Sequence, residues 1–308
     1  MSDQQKPTHG FASSIEAYQR AVERNDNEAA SDAMHDLFAA AAKVTMDNPD
    51  LTTKLLLTAK DLESKGEWEA AIDVYQNILS IADLDALTEM QAHENLGIIS
   101  RWMNRDSESL EHRRRATASA RRSESAIILS ICLQREAGCM IRCGQIDDAI
   151  SRLDEALSVL DDGPMYDTQR ANALTGQAMC AVKKGSLTAA DLYLEEAFHL
   201  LKPSAKITIA AGVQGNLAYW WSVRAQLQTA QQDNAESLSS WRKAVETMRQ
   251  IAALPHVEPS KANSALADML KGLARALTAA NLEEEMNAAL EERRKALDAV
   301  GLPNYQSK

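Results

Sequence analysis

The side chains that could act as general acids, general bases or metal ligands are scattered along this sequence. Its six histidines form no local cluster. Paired acids such as Asp147 and Asp148 fall where turns and helix starts are expected, and solvent and the helix dipole account for them there. No phosphate-binding glycine loop, nucleophile elbow or HExxH pattern occurs. The sequence therefore predicts no enzymatic activity, no metal site and no other cofactor.

The four cysteines are Cys132, Cys139, Cys143 and Cys180, and all lie in apolar helical runs. A zinc site would require close CxxC pairs or neighbouring histidines, and neither occurs. We therefore expect reduced, buried thiols that pack as small apolar side chains. Cys139 and Cys180 lie at equivalent positions of two similar stretches, so a redox pair is the alternative.

The basic run from His112 to Arg122 is the one patch that could attract nucleic acid or phosphorylated peptides. The formal charge of the whole chain is −11, so its average field repels phosphate. No aromatic residue alternates with the arginines to stack on a base. We interpret the run as one solvated helix face, with contact to an acidic peptide as the alternative, and predict no nucleic-acid partner.

The composition favours helices packed through small residues. Aromatic residues make up only 5% of the chain, which has 12 glycines and 7 prolines, whereas alanine is frequent. No run approaches the roughly 20 apolar residues of a membrane helix, and the first residues lack the apolar core of a secretory signal. The sequence predicts an all-α, cytoplasmic protein without a membrane partner.

The chain is organised by an internal repeat. The stretch from Leu133 to Asp161 consists of a helix, a turn at Gly144 and a second helix, and a similar stretch follows about 40 residues later with its turn at Gly185. The spacing places equivalent turns near Asn25, Gly66, Asn104, Gly144, Gly185 and Asn281, with a longer turn somewhere between Ala225 and Asn234. Such a period is typical of a helical repeat array.

The string that begins at Gly66 resembles the turn and second helix of a tetratricopeptide repeat. An aromatic residue, Trp68, follows the glycine, and Ala71 and Tyr75 occupy the positions of a small and a large residue. In a later unit, Arg113 stands where an aromatic residue is usual. The resemblance is to the long-helix variety of this family, because each unit exceeds the usual length of about 34 residues.

This resemblance implies a right-handed α-solenoid of about seven antiparallel helix hairpins. We expect one such domain over residues 13–300, a flexible tail over residues 1–12 and a second tail over residues 301–308. Asn281 is expected to cap the last helix, whose polar outer face would close the end of the array.

In the long-helix variety, an asparagine of the first helix often faces the concave groove and binds a peptide backbone, and Asn95 and Asn216 match that position. Arg135 is equivalent in the next unit, while Leu57 and Gly176 depart from the pattern. With neighbours one turn away, the predicted groove residues are Asn95, Arg101, Trp102, Arg135, Arg142, Asn216 and Tyr219. The alternative is that these polar residues only solvate the inner face.

The predicted function is that of a non-enzymatic scaffold or adaptor whose groove binds a protein or peptide partner, in particular one with an acidic segment. One alternative is a regulator that senses a peptide by closing its superhelix. Another is a structural subunit that acts by self-association as a homo-oligomer.

Overall fold

The computed structural model describes residues 49–163, 166–207, 211–254 and 257–302, and these residues form helices and turns with no strand. The twelve helices of the described part are α1 (Pro49–Ser64), α2 (Trp68–Leu79), α3 (Ala86–Trp102), α4 (Asp106–Arg121), α5 (Ala126–Arg142), α6 (Ile146–Ser158), α7 (Asp167–Lys183), α8 (Leu187–Ile207), α9 (Ala211–Ala230), α10 (Asn234–Ala252), α11 (Pro259–Ala279) and α12 (Glu283–Asp298).

Consecutive helices pair into six antiparallel hairpins, and each hairpin packs on the next, as an α-solenoid requires. The hairpin predicted before residue 49, the first tail and residues 303–308 lie outside the described residues. No described helix is long and apolar enough to cross a bilayer.

The turns lie where the repeat places them. Gly66, Asn104, Gly144, Gly185 and Asn281 all have left-handed backbones, with φ between 56° and 76°. In each turn the next residue donates its N–H to a carbonyl five residues earlier, as Glu67 does to Leu62 at 3.0 Å, so the preceding helix is properly ended.

The turn that the sequence placed only between Ala225 and Asn234 is also defined, and the turn at Asn281 differs from its predicted role. Gln232, with φ of 66°, ends the long helix α9, and the Asp233 carboxylate accepts from the Glu236 N–H to cap α10. Asn281 is the left-handed turn residue and not a cap, because α12 begins after Leu282 without a side-chain cap. The prediction that Asn281 caps this helix is therefore wrong.

The last unit packs against the first described unit. The Trp68 indole N–H donates to the Gly301 carbonyl at 3.1 Å, and Val300 and Leu302 belong to the same buried cluster as Leu55. A Cβ atom built on Gly66 would lie 3.3 Å from the Gly301 Cα, so the two backbones touch. The array therefore closes on itself, and its packed part reaches at least Leu302.

This closure changes the role expected for the last helix. We predicted that its polar outer face closes the end of the array; most of α12 is exposed, but Ala296 and Leu297 are buried in the cluster that the first described unit provides. Apolar surface on the last unit is removed from water by the start of the array, which stabilises the closed form.

Candidate binding channel

Three adjoining cavities line the inner face of the closed array. We call them the first, middle and wide cavities, with volumes of about 520, 560 and 840 Å³. Arg101 lines all three, and Arg142, Met179 and Tyr219 line both the middle and the wide cavity. The cavities therefore form one continuous channel, whose walls come mainly from the first helices of the hairpins.

The channel is basic, although the chain as a whole carries a formal charge of −11. Three carboxylates line its cavities, namely those of Glu94, Asp106 and Asp268. Eight cationic side chains line them, namely Lys60, Arg101, Arg113, Arg135, Arg142, Lys261, Lys271 and Arg275. Low-dielectric walls strengthen the field of such an excess of cations inside a cleft.

The middle cavity is mostly apolar. Its walls include Ile141, Met179, Tyr219, Met248 and Met269. Burial raises the pKa of the Tyr219 hydroxyl, which stays neutral at physiological pH. Methionine side chains adapt their shape to a bound group, so this part of the channel suits apolar side chains.

The first cavity is built around a buried charge. Glu94 of α3 is almost fully buried and accepts hydrogen bonds from Arg113 of α4 and Arg135 of α5. Burial alone would raise the pKa of Glu94, but the two guanidinium groups outweigh it and lower the pKa. Arg135 remains half-exposed, so part of its guanidinium faces the cavity.

Among known proteins, no family model and no curated relative matches the chain. Solved structures do match. A tetratricopeptide repeat protein from Parabacteroides merdae superposes with a TM-score of 0.51 at 15% identity, over 93% of this chain and 99% of that one. The chain has a tetratricopeptide-like α-solenoid fold.

Two further solved structures share the fold of this tetratricopeptide-like solenoid. One is a Rap protein complexed with competence and sporulation factor, with a TM-score of 0.58 at 12% identity over 96% of this chain and 78% of that one. The other is aspartyl phosphate phosphatase F from Bacillus subtilis, with a TM-score of 0.58 at 11% identity over 99% and 76%.

Most of the predicted groove residues lie along the channel of the tetratricopeptide-like solenoid. Asn95 lines the first cavity; its side-chain oxygen accepts from Lys60 at 3.1 Å, and its buried NH₂ group has no partner among the described residues. Arg101 pairs with Asp268 across the channel, and Arg142 pairs with Asp106 at 2.9 Å.

Two predicted residues do not fit the proposed contacts. Trp102 touches the first cavity, but it is only 8% exposed and packs edge-on against Trp68 at 5.1 Å between ring centroids. It is a core residue, so we withdraw it as an aromatic anchor. Asn216 lines none of the three cavities and donates to the Thr168 carbonyl at 3.5 Å.

The sequence interpretation missed the wall that α11 supplies. Lys261, Asp268 and Arg275 recur every seven residues on that helix, and all three face the channel. This spacing keeps residues on one helix face and could have been noticed. The contact of these α11 residues with α3 depends on closure of the array, and no local sequence pattern predicts that closure.

The basic run forms the solvated face that we predicted, with the exception of Arg113, because its other four arginines are exposed. Arg113 is buried under Gly97, where a Cβ atom would lie only 3.0 Å from its Nε. Arg115, Arg121 and Arg122 pair with Glu111, Glu155 and Glu89. These carboxylates reduce the net positive charge of the exposed face.

No group of three potential metal ligands occurs among the residues that the structure describes. All four cysteines are free thiols; Cys132, Cys139 and Cys180 are buried, and Cys143 is partly exposed. Burial raises the pKa of Cys132 to about 12, so this thiol is an inert packing group.

Two histidines that form no cluster in the sequence lie next to each other in the fold. The Nδ1 atoms of His93 and His112 lie 3.2 Å apart between α3 and α4. Burial, then His112 and Arg115, lower the pKa of His93 to about 4, against an opposing effect of Glu89 and Glu111. Folding therefore favours the neutral pair, in which one ring donates to the other.

Acid is expected to destabilise the fold through this pair. The pKa of His93 is lower in the folded chain than the unfolded value of about 6.5, so its stabilising contribution is full above that pH and declines as pH falls toward 4. Between pH 7 and pH 5, the free energy of unfolding of the wild type should fall by about 1–2 kcal/mol more than that of a His93→Gln variant. Urea denaturation at the two pH values measures the difference. Equal losses in the two proteins would contradict this assignment.

Proposed function

We propose that this solenoid is a non-enzymatic adaptor that holds an acidic segment of a peptide or protein partner in its channel. The observation that carries the proposal is a basic channel inside a chain of formal charge −11. Unlike charges attract over several ångströms, so the channel would select an acidic partner and speed its capture.

The first cavity supplies suitable donors. The NH₂ group of Asn95 is buried without a described partner, and an amide can pair with an extended peptide backbone. The half-exposed guanidinium of Arg135 can donate hydrogen bonds to a second carboxylate in addition to Glu94. The similarity to a Rap protein complexed with competence and sporulation factor supports a binding role for this type of fold.

Filling the channel should abolish binding without harming the fold. Gly138 lies on the wall of the middle cavity, and nothing lies within 4 Å of a Cβ atom built on it. We expect Gly138→Phe to project a ring into that space, while removal of a helical glycine slightly favours α5. Gly138→Ala is the matched control that leaves the channel open.

A random peptide library displayed on phage provides the measurement. The wild type and Gly138→Ala should enrich acidic peptides, and Gly138→Phe should enrich none while melting at the same temperature or higher. Enrichment of the same peptides by Gly138→Phe would show that they bind outside the channel. The absence of any enriched peptide on the wild type would overturn the proposed function.

A regulatory role is the second candidate, and the polar contacts at the closure favour it. Arg101 pairs with Asp268 between α3 and α11, and the Lys60 ammonium lies 3.9 Å from the Glu258 carboxylate. A bound carboxylate would compete for both cations and could shift the two ends of the array. A change in the distance between spin labels on α3 and α11 when a selected peptide binds would favour the regulator, whereas an unchanged distance would favour the adaptor.

A structural role through self-association and a cytoplasmic location stay predictions from the sequence. Gel filtration of the purified chain tests the first of them.

A further inference from the structure

Two cations at the wide end of the channel differ from the other six. Each of those six has a described carboxylate within ion-pair distance, and the partners are Glu63, Glu94, Asp106, Glu258 and Asp268. Lys271 and Arg275 of α11 form no ion pair with any carboxylate in the part of the chain that the structure describes, and Asp268 acts on Lys271 only from beyond ion-pair distance. Both line the wide cavity.

Their placement is unfavourable for the empty protein. Lys271 and Arg275 are four residues apart and therefore neighbours on one helix face, where like charges destabilise a helix. Burial, then Arg275 and Arg293, lower the pKa of Lys271, and the opposing effect of Asp268 is smaller than that of either arginine. An anion bound between the two cations would attract both of them and offset their repulsion.

The surroundings leave room for such an anion. The acid one turn earlier on the helix, Asp268, is engaged by Arg101, and Asp106 is engaged by Arg142. The remaining polar wall of the wide cavity consists of uncharged amide and hydroxyl groups, including those of Asn104, Gln226 and Asn234. A carboxylate there would meet two unpaired cations and several neutral hydrogen-bonding groups.

We propose that Lys271 and Arg275 form a second anion subsite, which binds an acidic side chain of the segment whose other acidic residues lie beside Asn95 and Arg135. This inference rests on the proposed function and specifies its ligand. The apolar middle cavity separates the two basic ends, so the segment carries acidic residues, then apolar residues over Tyr219, then acidic residues.

The apolar walls of the middle cavity favour a segment with an apolar centre over a uniformly charged polyanion. A nucleic acid or a uniformly acidic tail would place charge against Met179 and Met269, and the cations that line this cavity, Arg101, Arg142 and Lys261, are each already paired with a carboxylate. Desolvating an unpaired charge is costly, so apolar residues at the centre are preferred.

The test repeats the phage selection with a Lys271→Gln/Arg275→Gln variant of the full chain. Lys183→Gln is the matched control, because Lys183 is an exposed lysine at the end of α7 that lines none of the three cavities. The wild type and the control should enrich peptides with acidic residues on both sides of an apolar centre. The double variant should enrich peptides that keep acidic residues on one side only.

The possible outcomes separate the two proposals. If the double variant enriches the same doubly acidic peptides as the wild type, the second subsite is wrong and the adaptor proposal stands. If the wild type enriches no peptide, both are wrong. Because the substitutions remove a repulsion, the double variant should melt no lower than the wild type, and a lower melting temperature would indicate a structural role instead.

A selected peptide then identifies the anion. The peptide synthesised with both termini blocked should bind the wild type as tightly as the same peptide with free termini. It should bind the double variant about tenfold or more weakly than the wild type, as expected for loss of a charged hydrogen bond. Weaker binding of the blocked peptide to the wild type would assign the subsite to a terminal carboxylate and overturn the side-chain proposal.

Discussion

Replacing Glu94 with leucine is expected to lower the free energy of unfolding by about 3–5 kcal/mol, because the substitution leaves the buried guanidinium of Arg113 without an anion. Arg135, the other partner of Glu94, is half-exposed and can return to water. Urea denaturation followed by circular dichroism measures the loss.

Two further variants separate charge from packing in this prediction. The double variant Glu94→Leu/Arg113→Met removes both charges and should recover most of the loss, since a buried pair can be replaced by apolar groups of similar volume. Glu111→Leu breaks the exposed pair with Arg115 and should cost less than about 1 kcal/mol. If Glu94→Leu were no more costly than Glu111→Leu, Glu94 would not be a structural charge.

Substituting asparagine at Gly66 is expected to weaken the contact that closes the array. The backbone of Gly66 is left-handed, and a Cβ atom there would lie 3.3 Å from both the Gly301 Cα and the Val300 carbonyl oxygen. Backbone atoms cannot move aside as the end of a side chain does, so the last unit has to shift. We expect a loss of about 1–3 kcal/mol in the free energy of unfolding, measured by urea denaturation.

Gly144→Asn is a closely matched control for this effect. Gly144 holds the same turn position with nearly the same φ, 76° against 75°, but nothing lies within 4 Å of its added Cβ. Asparagine is tolerated at equivalent turns, because Asn104 and Asn281 already occupy them with left-handed backbones. Equal effects of the two substitutions would show that contact with Gly301 does not hold the array closed.

The turns and helix pairs of the described part could be predicted because they depend on local chemistry. A left-handed backbone favours glycine or asparagine, so Gly66, Asn104 and Gly144 indicate the positions of their turns in the sequence. Gln232 holds the same conformation without such a signal, which is why its turn could only be placed within a range.

The channel was predicted in part. Asn95 and Arg135 lie at equivalent positions 40 residues apart, so their common face followed from the repeat period. Trp102 follows Arg101 directly and therefore points into the packing between hairpins, where it meets Trp68. Arg142 stands at the equivalent position of the next unit and lines the channel, so the position by itself did not distinguish a core residue from a groove residue.

The sequence by itself determined the all-helical repeat architecture, the turn positions and the first-helix face on which most of the proposed site lies. Only the tertiary structure decided that the array closes, that Glu94 and Asp268 neutralise predicted cations, and that Lys271 and Arg275 are left unpaired. Helix periodicity repeats within each unit and is visible in the sequence. The rotation between successive units accumulates over the whole array, so the meeting of its two ends depends on all of the interfaces together.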